Sequence, residues 1–133
     1  MIDAVVVDAS VVTAALVQDD EVGAACAQVL LASRVAAPAL LPFEVANSVR
    51  GVSLARQISD EAAWRALRTA LRLPIESHPL IGLAERVWEL RSDVSAYDAS
   101  YVAVAELTGL PLATCDRRLA RATGPRCDWI VLG

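Results

Sequence analysis

The chain has 133 residues, of which 56% are hydrophobic and 21% charged, and its formal net charge is −4. This composition excludes a disordered chain, and the acidic balance argues against a strongly basic nucleic-acid-binding surface. No apolar run approaches the roughly 20 residues that span a bilayer, and no basic segment of a signal peptide opens the chain, so we expect a single domain over residues 1–133 with cytoplasmic residence and no membrane contact.

The residue types exclude several kinds of chemistry. All 12 basic residues are arginine, so a phosphate-binding P-loop lysine and a Schiff-base lysine are both absent. The only histidine is His78, and no Gly-x-Ser-x-Gly elbow accompanies it, so we interpret it as a loop residue. The three cysteines, Cys26, Cys115 and Cys127, lack zinc-site spacing, and we expect reduced, mostly buried thiols.

The first half of the chain predicts two strands and four helices. Residues 2–7 are apolar almost throughout, which is typical of a strand buried on both faces. Ser10 can cap a short helix, and Pro42 suits the first position of a longer one. The predicted elements are a strand at 2–7, helices at 11–17 and from 19 to about 33, a strand at 35–37 ended by Pro38, a helix from 42 to about 57, and a helix that begins at 59–61.

The second half predicts a weak strand at 73–76, helices at 79–91 and 97–107, and strands at 110–114 and 129–132. Gly109 stops the second of these helices. Alternating strands and helices predict a mostly parallel sheet. Helical faces carrying Trp64, Leu67, Leu71 and Trp88 are apolar, and either they all belong to the core or a small core leaves part of them uncovered.

Four acidic residues stand at the ends of predicted strands or the starts of predicted helices. Asp8 follows the first strand, Glu44 and Asp98 open two helices, and Asp116 follows the strand at 110–114. In an open parallel sheet these places converge on one edge, where ligands bind. Clustered carboxylates repel one another, and their hard oxygen atoms suit Mg²⁺ or Mn²⁺.

Each of these acids also has an ordinary structural explanation. Asp8 could form a turn, Asp98 could complement a helix dipole, and Asp116 could cap the short helix that follows it. Glu44 is harder to explain in this way, because its surroundings are apolar and Asn47 shares its helix face. The four together favour a site more than any one of them does.

The segments around the acids resemble the motifs of the PIN domain, in the order typical of that family. They are Val6-Val7-Asp8-Ala9-Ser10, Pro42-Phe43-Glu44-Val45-Ala46-Asn47, the segment 97–105 (Tyr-Asp-Ala-Ser-Tyr-Val-Ala-Val-Ala), and the segment 112–119 (Leu-Ala-Thr-Cys-Asp-Arg-Arg-Leu). Among PIN domains, the chain is most similar to the VapC-type toxins of bacterial toxin–antitoxin pairs. The resemblance extends over essentially the whole chain.

This resemblance implies a three-layer α/β/α sandwich around a mostly parallel sheet. It also implies an Mg²⁺- or Mn²⁺-dependent ribonuclease toxin that forms a homodimer and is inhibited by a cognate VapB-type antitoxin. Asp8, Glu44, Asp98 and Asp116 match the family's acidic quartet. The neighbouring polar residues that match the family's pattern are Ser10, Asn47 and Thr114.

The chemistry expected from the resemblance is metal-assisted hydrolysis of an RNA phosphodiester. Asp8 and Asp98 are the expected direct ligands. Asp116 and Glu44 would bind through water, hold a second ion or orient the nucleophile. Ser10 and Thr114 either orient the carboxylates or serve as an ordinary helix cap and strand residue. Five arginines either contact phosphates or lie on solvated helix faces: Arg50, Arg56, Arg117, Arg118 and Arg121.

The sequence shows no RNA-binding surface with interleaved aromatic residues, and it leaves open the target RNA, the preferred metal, the number of ions and the antitoxin. Three other functions are alternatives. One is a phosphatase with Asp8 as an aspartyl nucleophile, although such enzymes usually place a second Asp where Ser10 stands and use a lysine. The second is a phospho-acceptor receiver domain, which also typically uses a lysine. The third is a PIN-like module that binds a partner without catalysis.

Overall fold

A computed structural model describes residues 2–133 as an α/β fold with a five-stranded, fully parallel sheet, which confirms the predicted fold class. The strand order is β3-β2-β1-β4-β5. The strands are β1 (Ala4–Val7), β2 (Arg34–Pro38), β3 (Ile75–His78), β4 (Leu112–Thr114) and β5 (Trp129–Val131). The helices are α1 (Ala9–Val17), α2 (Glu21–Val29), α3 (Leu41–Leu54), α4 (Asp60–Ala70), α5 (Ala84–Glu89), α6 (Ala96–Thr108) and α7 (Arg117–Ala120).

Strand β1 lies at the centre of the sheet. Its apolar run explains this position, because Val5, Val6 and Val7 are fully buried. Val6 pairs with Ala36 of β2 on one side and with Leu112 of β4 on the other. The chain adds β2 and β3 on one side of β1, and then β4 and β5 on the other side, so the strand order switches between β1 and β4. A crevice beyond the carboxyl ends of the strands forms at such a switch point.

The structure corrects two predicted helix starts. Asp8, not Ser10, caps α1, because its carboxylate accepts the backbone N–H groups of Ser10 and Val11. Pro42 occupies the second position of α3, after Leu41, and not the first. Either of the first two positions tolerates proline, since the missing N–H has no partner within the helix.

Several other predicted elements have different bounds, and two of them are shorter than expected: α3 ends at Leu54 rather than near residue 57, and β4 begins at Leu112 rather than at residue 110. The helix expected at 79–91 is a 3₁₀ turn (Leu80–Gly82) followed by α5, consistent with the low helix propensity of Gly82. Strand β3 begins at Ile75 rather than at residue 73, since Pro74 has no N–H to donate to a ladder. His78 therefore ends a strand, and its interpretation as a loop residue is wrong. Helix α2 ends at Val29 and not near residue 33.

The core does not cover every apolar helical face. Trp64, Leu71 and Trp88 are exposed, whereas Leu67 is partly buried against the core. Part of the predicted apolar surface thus faces solvent. Within residues 2–133, no helix is both long and apolar enough to cross a membrane.

The cysteines are free thiols, as expected, but only Cys26 is fully buried. Its Sγ atom lies 3.6 Å from that of Cys115, and burial raises the pKa of Cys26 to about 12. Cys115 and Cys127 are partly exposed, so the expectation of mostly buried thiols is wrong for those two.

Candidate metal centre

The structure brings the four predicted acids into one cleft of about 530 Å³. Asp8 follows β1, Glu44 and Asp98 lie in the first turns of α3 and α6, and Asp116 caps α7. Helix N-termini carry partial positive charge, so each position favours a carboxylate. We call this site the acid cleft. Ser10 and Asn47 also line it, together with Ser48, whereas Thr114 lies behind Asp8.

Asp8 is the most strongly restrained of the four acids. Its side chain is buried, and its Oδ1 atom accepts the backbone N–H groups of Ser10 at 3.0 Å and of Val11 at 3.3 Å. The hydroxyls of Ser10 and Thr114 also donate to the two carboxylate oxygens of Asp8. Desolvation nevertheless raises the pKa of Asp8, although all four hydrogen bonds favour its ionised form.

Ser10 and Thr114 connect the ends of β1 and β4. The Ser10 hydroxyl accepts the backbone N–H of Cys115 at 2.9 Å, and the Thr114 hydroxyl accepts that of Asp116 at 3.0 Å. Each hydroxyl thus accepts from one strand-end loop and donates to Asp8. This geometry fixes the orientation of both hydroxyls, and through them the orientation of the carboxylate.

Glu44 has a buried aromatic partner that the sequence analysis missed. The Tyr101 side chain is 1% exposed, and its hydroxyl donates to Glu44 Oε1 at 2.6 Å. Burial, followed by the hydrogen bond to Glu44, raises the pKa of Tyr101, so the hydroxyl remains a donor. The available signal was spacing, because Tyr101 lies three residues after Asp98 and shares its helix face.

Asp98 and Asp116 lie close enough for their negative charges to repel each other. The pKa of Asp98 is raised by partial burial and, next, by the negative charge of Asp116. The carboxylate of Asp116 also caps α7 through the backbone N–H of Arg118 at 2.9 Å. The capping role considered for Asp116 is therefore real, and it coexists with a place in the cleft.

The arginines proposed to contact RNA do not line the acid cleft. Arg50, Arg117 and Arg118 are exposed, and Arg117 donates to the backbone carbonyl of Gly133. Among residues 2–133, Arg118 supplies the only cation within 4.0 Å of a cleft carboxylate, and its side chain is 91% exposed. The cleft therefore keeps an excess of negative charge.

The donor set suits a hard divalent cation, since carboxylates, hydroxyls and an amide line one cleft. Among residues 2–133, no three or more His, Cys, Asp or Glu side chains form a group that could hold a metal ion by themselves. Mg²⁺ typically binds one or two carboxylates directly and keeps several water ligands, so the donors of the cleft suit a hydrated ion better than an all-protein cage.

Comparison with known proteins identifies the same fold and family. The model of the PIN domain family matches residues 5–125. The chain is 39% identical to the VapC ribonuclease Mb0985 of Mycobacterium bovis over 128 residues, which cover 96% of this chain and 98% of that protein. It is also similar to a solved structure from Pyrobaculum aerophilum, PAE2754, at 27% identity and a TM-score of 0.66, with 92% and 87% of the two chains covered. A further structure, described as a member of the VapBC family of toxin–antitoxin systems, VapBC-5, from Mycobacterium tuberculosis, shares the fold at 22% identity and a TM-score of 0.58, with 98% of each chain covered.

Proposed function

Because the chain belongs to the PIN domain family, we propose that it is an endoribonuclease toxin that uses Mg²⁺ or Mn²⁺ and is neutralised by a VapB-type antitoxin. The relative with 39% identity is named a VapC ribonuclease, which supports RNA as the substrate. The observation that carries the proposal is the convergence of Asp8, Glu44, Asp98 and Asp116 in one cleft.

Among residues 2–133, no arginine lines that cleft, and this supports a bound metal ion as the counter-charge. Excess negative charge in a confined space attracts a counter-ion, and the donor chemistry selects a hard one. When bound, a divalent ion polarises the phosphoryl oxygen and lowers the pKa of a water molecule. Asp8 and Asp98 are the proposed direct ligands, and the restraint on Asp8 gives it a fixed direction toward the cleft.

The remaining polar residues orient these groups. Ser10 and Thr114 hold Asp8, and Tyr101 holds Glu44, so that each carboxylate keeps one orientation when RNA enters. Glu44 and Asp116 are then placed to bind through water, to hold a second ion or to orient the attacking water. Asn47 adds a neutral donor and acceptor on the wall beside Glu44.

RNA phosphates outside the cleft need cationic partners. Arg50, Arg117 and Arg118 are exposed and are the proposed contacts, because one guanidinium group can donate hydrogen bonds to two oxygens of the same phosphate. Arg118 is the nearest of these to the cleft acids, at 4.0 Å from Asp116. Arg118 is therefore the arginine best placed to contact a phosphodiester bound at the cleft.

The partners are also part of the proposal. The exposed side chains of Trp64, Leu71 and Trp88 support a homodimer, since large apolar side chains in water favour association. An antitoxin would present a basic side chain to the acid cleft, where the negative field is concentrated. A single domain at residues 1–133 would then hold both the catalytic and the partner-binding surfaces.

A metal-dependence assay on a generic single-stranded RNA tests this function. We expect cleavage with Mg²⁺ or Mn²⁺, no cleavage in excess chelator, and no release of phosphate from an aryl phosphate substrate. Release of phosphate would favour the aspartyl phosphatase. Inactivity with every divalent ion, combined with tight binding to an antitoxin, would favour the binding module without catalysis.

A further inference from the structure

Two exposed aromatic side chains border the acid cleft. Phe43 is 77% exposed and Tyr97 is 62% exposed, although both line the cleft. Each directly precedes a cleft acid, Glu44 in one case and Asp98 in the other. The starts of α3 and α6 therefore each present one aromatic ring and one carboxylate to the same opening.

These two rings also line a second, apolar groove of about 360 Å³. Leu40, Phe43 and Tyr97 are common to the cleft and the groove, which makes the two surfaces continuous. Of residues 2–133, no Asp, Glu or Arg lines the groove, and His78 is the only basic residue that does. A charged surface and an apolar surface thus meet along a border of aromatic rings.

A single-stranded nucleic acid has matching chemistry. Its phosphates are anionic and suit a cleft that holds a divalent ion, whereas its bases present flat apolar faces that stack on aromatic rings. A base in a duplex already stacks on its neighbours and is not free to do so. A ligand with both parts, an anion and a free flat ring, would cover both surfaces at once.

We propose that Phe43 and Tyr97 form a stacking site for an unpaired nucleobase next to the phosphate held at the acid cleft. This inference rests on the proposed function, because it takes RNA as the ligand of the cleft. Stacking on a ring does not depend on which base is present, so the site selects unpaired nucleic acid rather than a sequence. It adds an aromatic surface that the sequence analysis did not find.

A second copy of the chain is the competing occupant of the groove. Packing two copies symmetrically across the rings would bring two acid clefts close together, and like charges repel. Trp64 and Trp88 line neither the cleft nor the groove, and they offer apolar surface to a second copy without that cost. The continuity of the groove with the cleft therefore favours the nucleobase.

The test compares the binding of two short probes at saturating Mg²⁺: a fluorescein-labelled oligodeoxythymidylate and its abasic copy, which has the same phosphates but no bases. Stacking predicts that the wild-type protein binds the base-bearing probe about 5- to 150-fold more tightly. Phe43→Ala and Tyr97→Ala should each reduce this ratio at least several-fold and leave the affinity for the abasic probe unchanged. Tyr97→Phe keeps the ring and should keep the ratio.

Trp64→Ala is the matched control, because Trp64 is 58% exposed and lies outside both surfaces. It should keep the wild-type ratio. A wild-type ratio near one, or a ratio that survives both alanine variants, would overturn the proposal. The proposal would also be overturned if Phe43→Ala and Tyr97→Ala kept the wild-type ratio of probe affinities while light scattering showed both variants as monomers. That result would assign the groove to a second copy of the chain. The binding ratio does not depend on hydrolysis, so its failure is separate from failure of the nuclease assay.

Discussion

The acids of the cleft and the acids elsewhere on the molecule have different partners. Glu76 forms a bidentate pair with Arg34, both contacts at 2.9 Å, and Glu106 binds Arg86 at 2.7 Å and the backbone N–H of Arg126 at 2.8 Å. Asp8, Glu44 and Asp116 are instead held by hydroxyls or backbone amides, and within residues 2–133 the only cation within 4.0 Å of a cleft acid is Arg118, beside Asp116.

This difference separates the acids paired with arginine from the acids proposed to bind the metal. A carboxylate paired with arginine already has its counter-charge, so it stabilises the fold and has little attraction for a metal. A carboxylate that is oriented but not neutralised is ready to bind a cation. The pKa directions follow the same division, since that of Asp98 is raised while Arg34 and His78 hold the pKa of Glu76 at about 2.

Asp98→Asn should have the largest effect on activity. It removes a charge and keeps the side-chain size, so we expect RNA cleavage to fall more than about 100-fold, because loss of an outer partner of a metal ligand alone costs about 10- to 100-fold. Affinity for the divalent ion, measured by calorimetry, should fall with it. Asp93→Asn is the control, since Asp93 is an exposed acid outside the cleft. Unchanged cleavage by Asp98→Asn would remove this residue from the site.

The same variant should be at least as stable as the wild type. The pKa of Asp98 in the folded protein is raised above its usual 3.8. The native state then binds more protons than the unfolded state as pH rises through this range, so ionisation of Asp98 lowers stability. Removing the charge removes that cost at neutral pH, and the Tm should stay level or rise. A clear drop in Tm would contradict this expectation, because it would mean that the ionised side chain of Asp98 stabilises the fold.

Tyr101→Phe tests orientation without changing any charge. The variant keeps the buried ring but leaves Glu44 without its donor, and we expect about a 10- to 100-fold loss of divalent-ion affinity or cleavage. Tyr97→Phe also removes a hydroxyl, from an exposed ring of the same cleft, and should leave ion affinity unchanged. Equal ion affinity in both variants would mean that Glu44 needs no fixed orientation.

Glu106→Gln should affect stability and not activity. Both side chains of the Arg86–Glu106 pair are about four-fifths covered, and the change weakens charge-assisted hydrogen bonds. We expect the free energy of unfolding to fall by about 1–2 kcal/mol, toward the lower part of the range for charged hydrogen bonds because the pair is partly open to water. Urea denaturation measures it, and cleavage at the same temperature should match the wild type. A large loss of cleavage in the folded variant would contradict the division between the two groups of acids.

Glu76→Gln should have the smallest effect, because Glu76 is 40% exposed and water screens its pairing with Arg34. The pKa of Glu76 is lowered from 4.5 to about 2, so its contribution to stability is present above pH 4.5 and is lost as pH falls toward 2. Denaturation curves of the wild type and the variant should differ slightly at pH 7, and the difference should disappear as pH falls from 4.5 toward 2. A difference that grows on acidification would reverse the assigned sign.

The sequence predicted the features that depend on local patterns. The apolar run of β1, the start of α4 near residues 59–61 and the stop at Gly109 depend on neighbours in the chain, and the structure agrees with them. The four acids were found because strand ends and helix starts can be located from such patterns, and parallel strands bring those places to one edge.

Other features depend on contacts between distant parts of the chain. The hydrogen bond from Tyr101 to Glu44 spans 57 positions, and that from Thr114 to Asp8 spans 106, so neither appears in a local pattern. Asp8 displaced Ser10 as the cap of α1 because the Ser10 hydroxyl is engaged with Asp8 and the backbone N–H of Cys115. Phe43 and Tyr97 come together only when α3 and α6 meet at the cleft.

Metal binding at the acid cleft is tested most directly by anomalous diffraction from crystals of this protein grown with Mn²⁺. We expect a peak in the acid cleft within about 2.0–2.6 Å of an oxygen of Asp8 or Asp98, as for direct oxygen ligation of a hard cation. We expect no comparable peak beside Glu76 or Glu106, whose charges are already paired with arginine. A peak beside either paired acid with none in the cleft, from protein that cleaves RNA with Mn²⁺, would show that the cleft acids do not bind the metal.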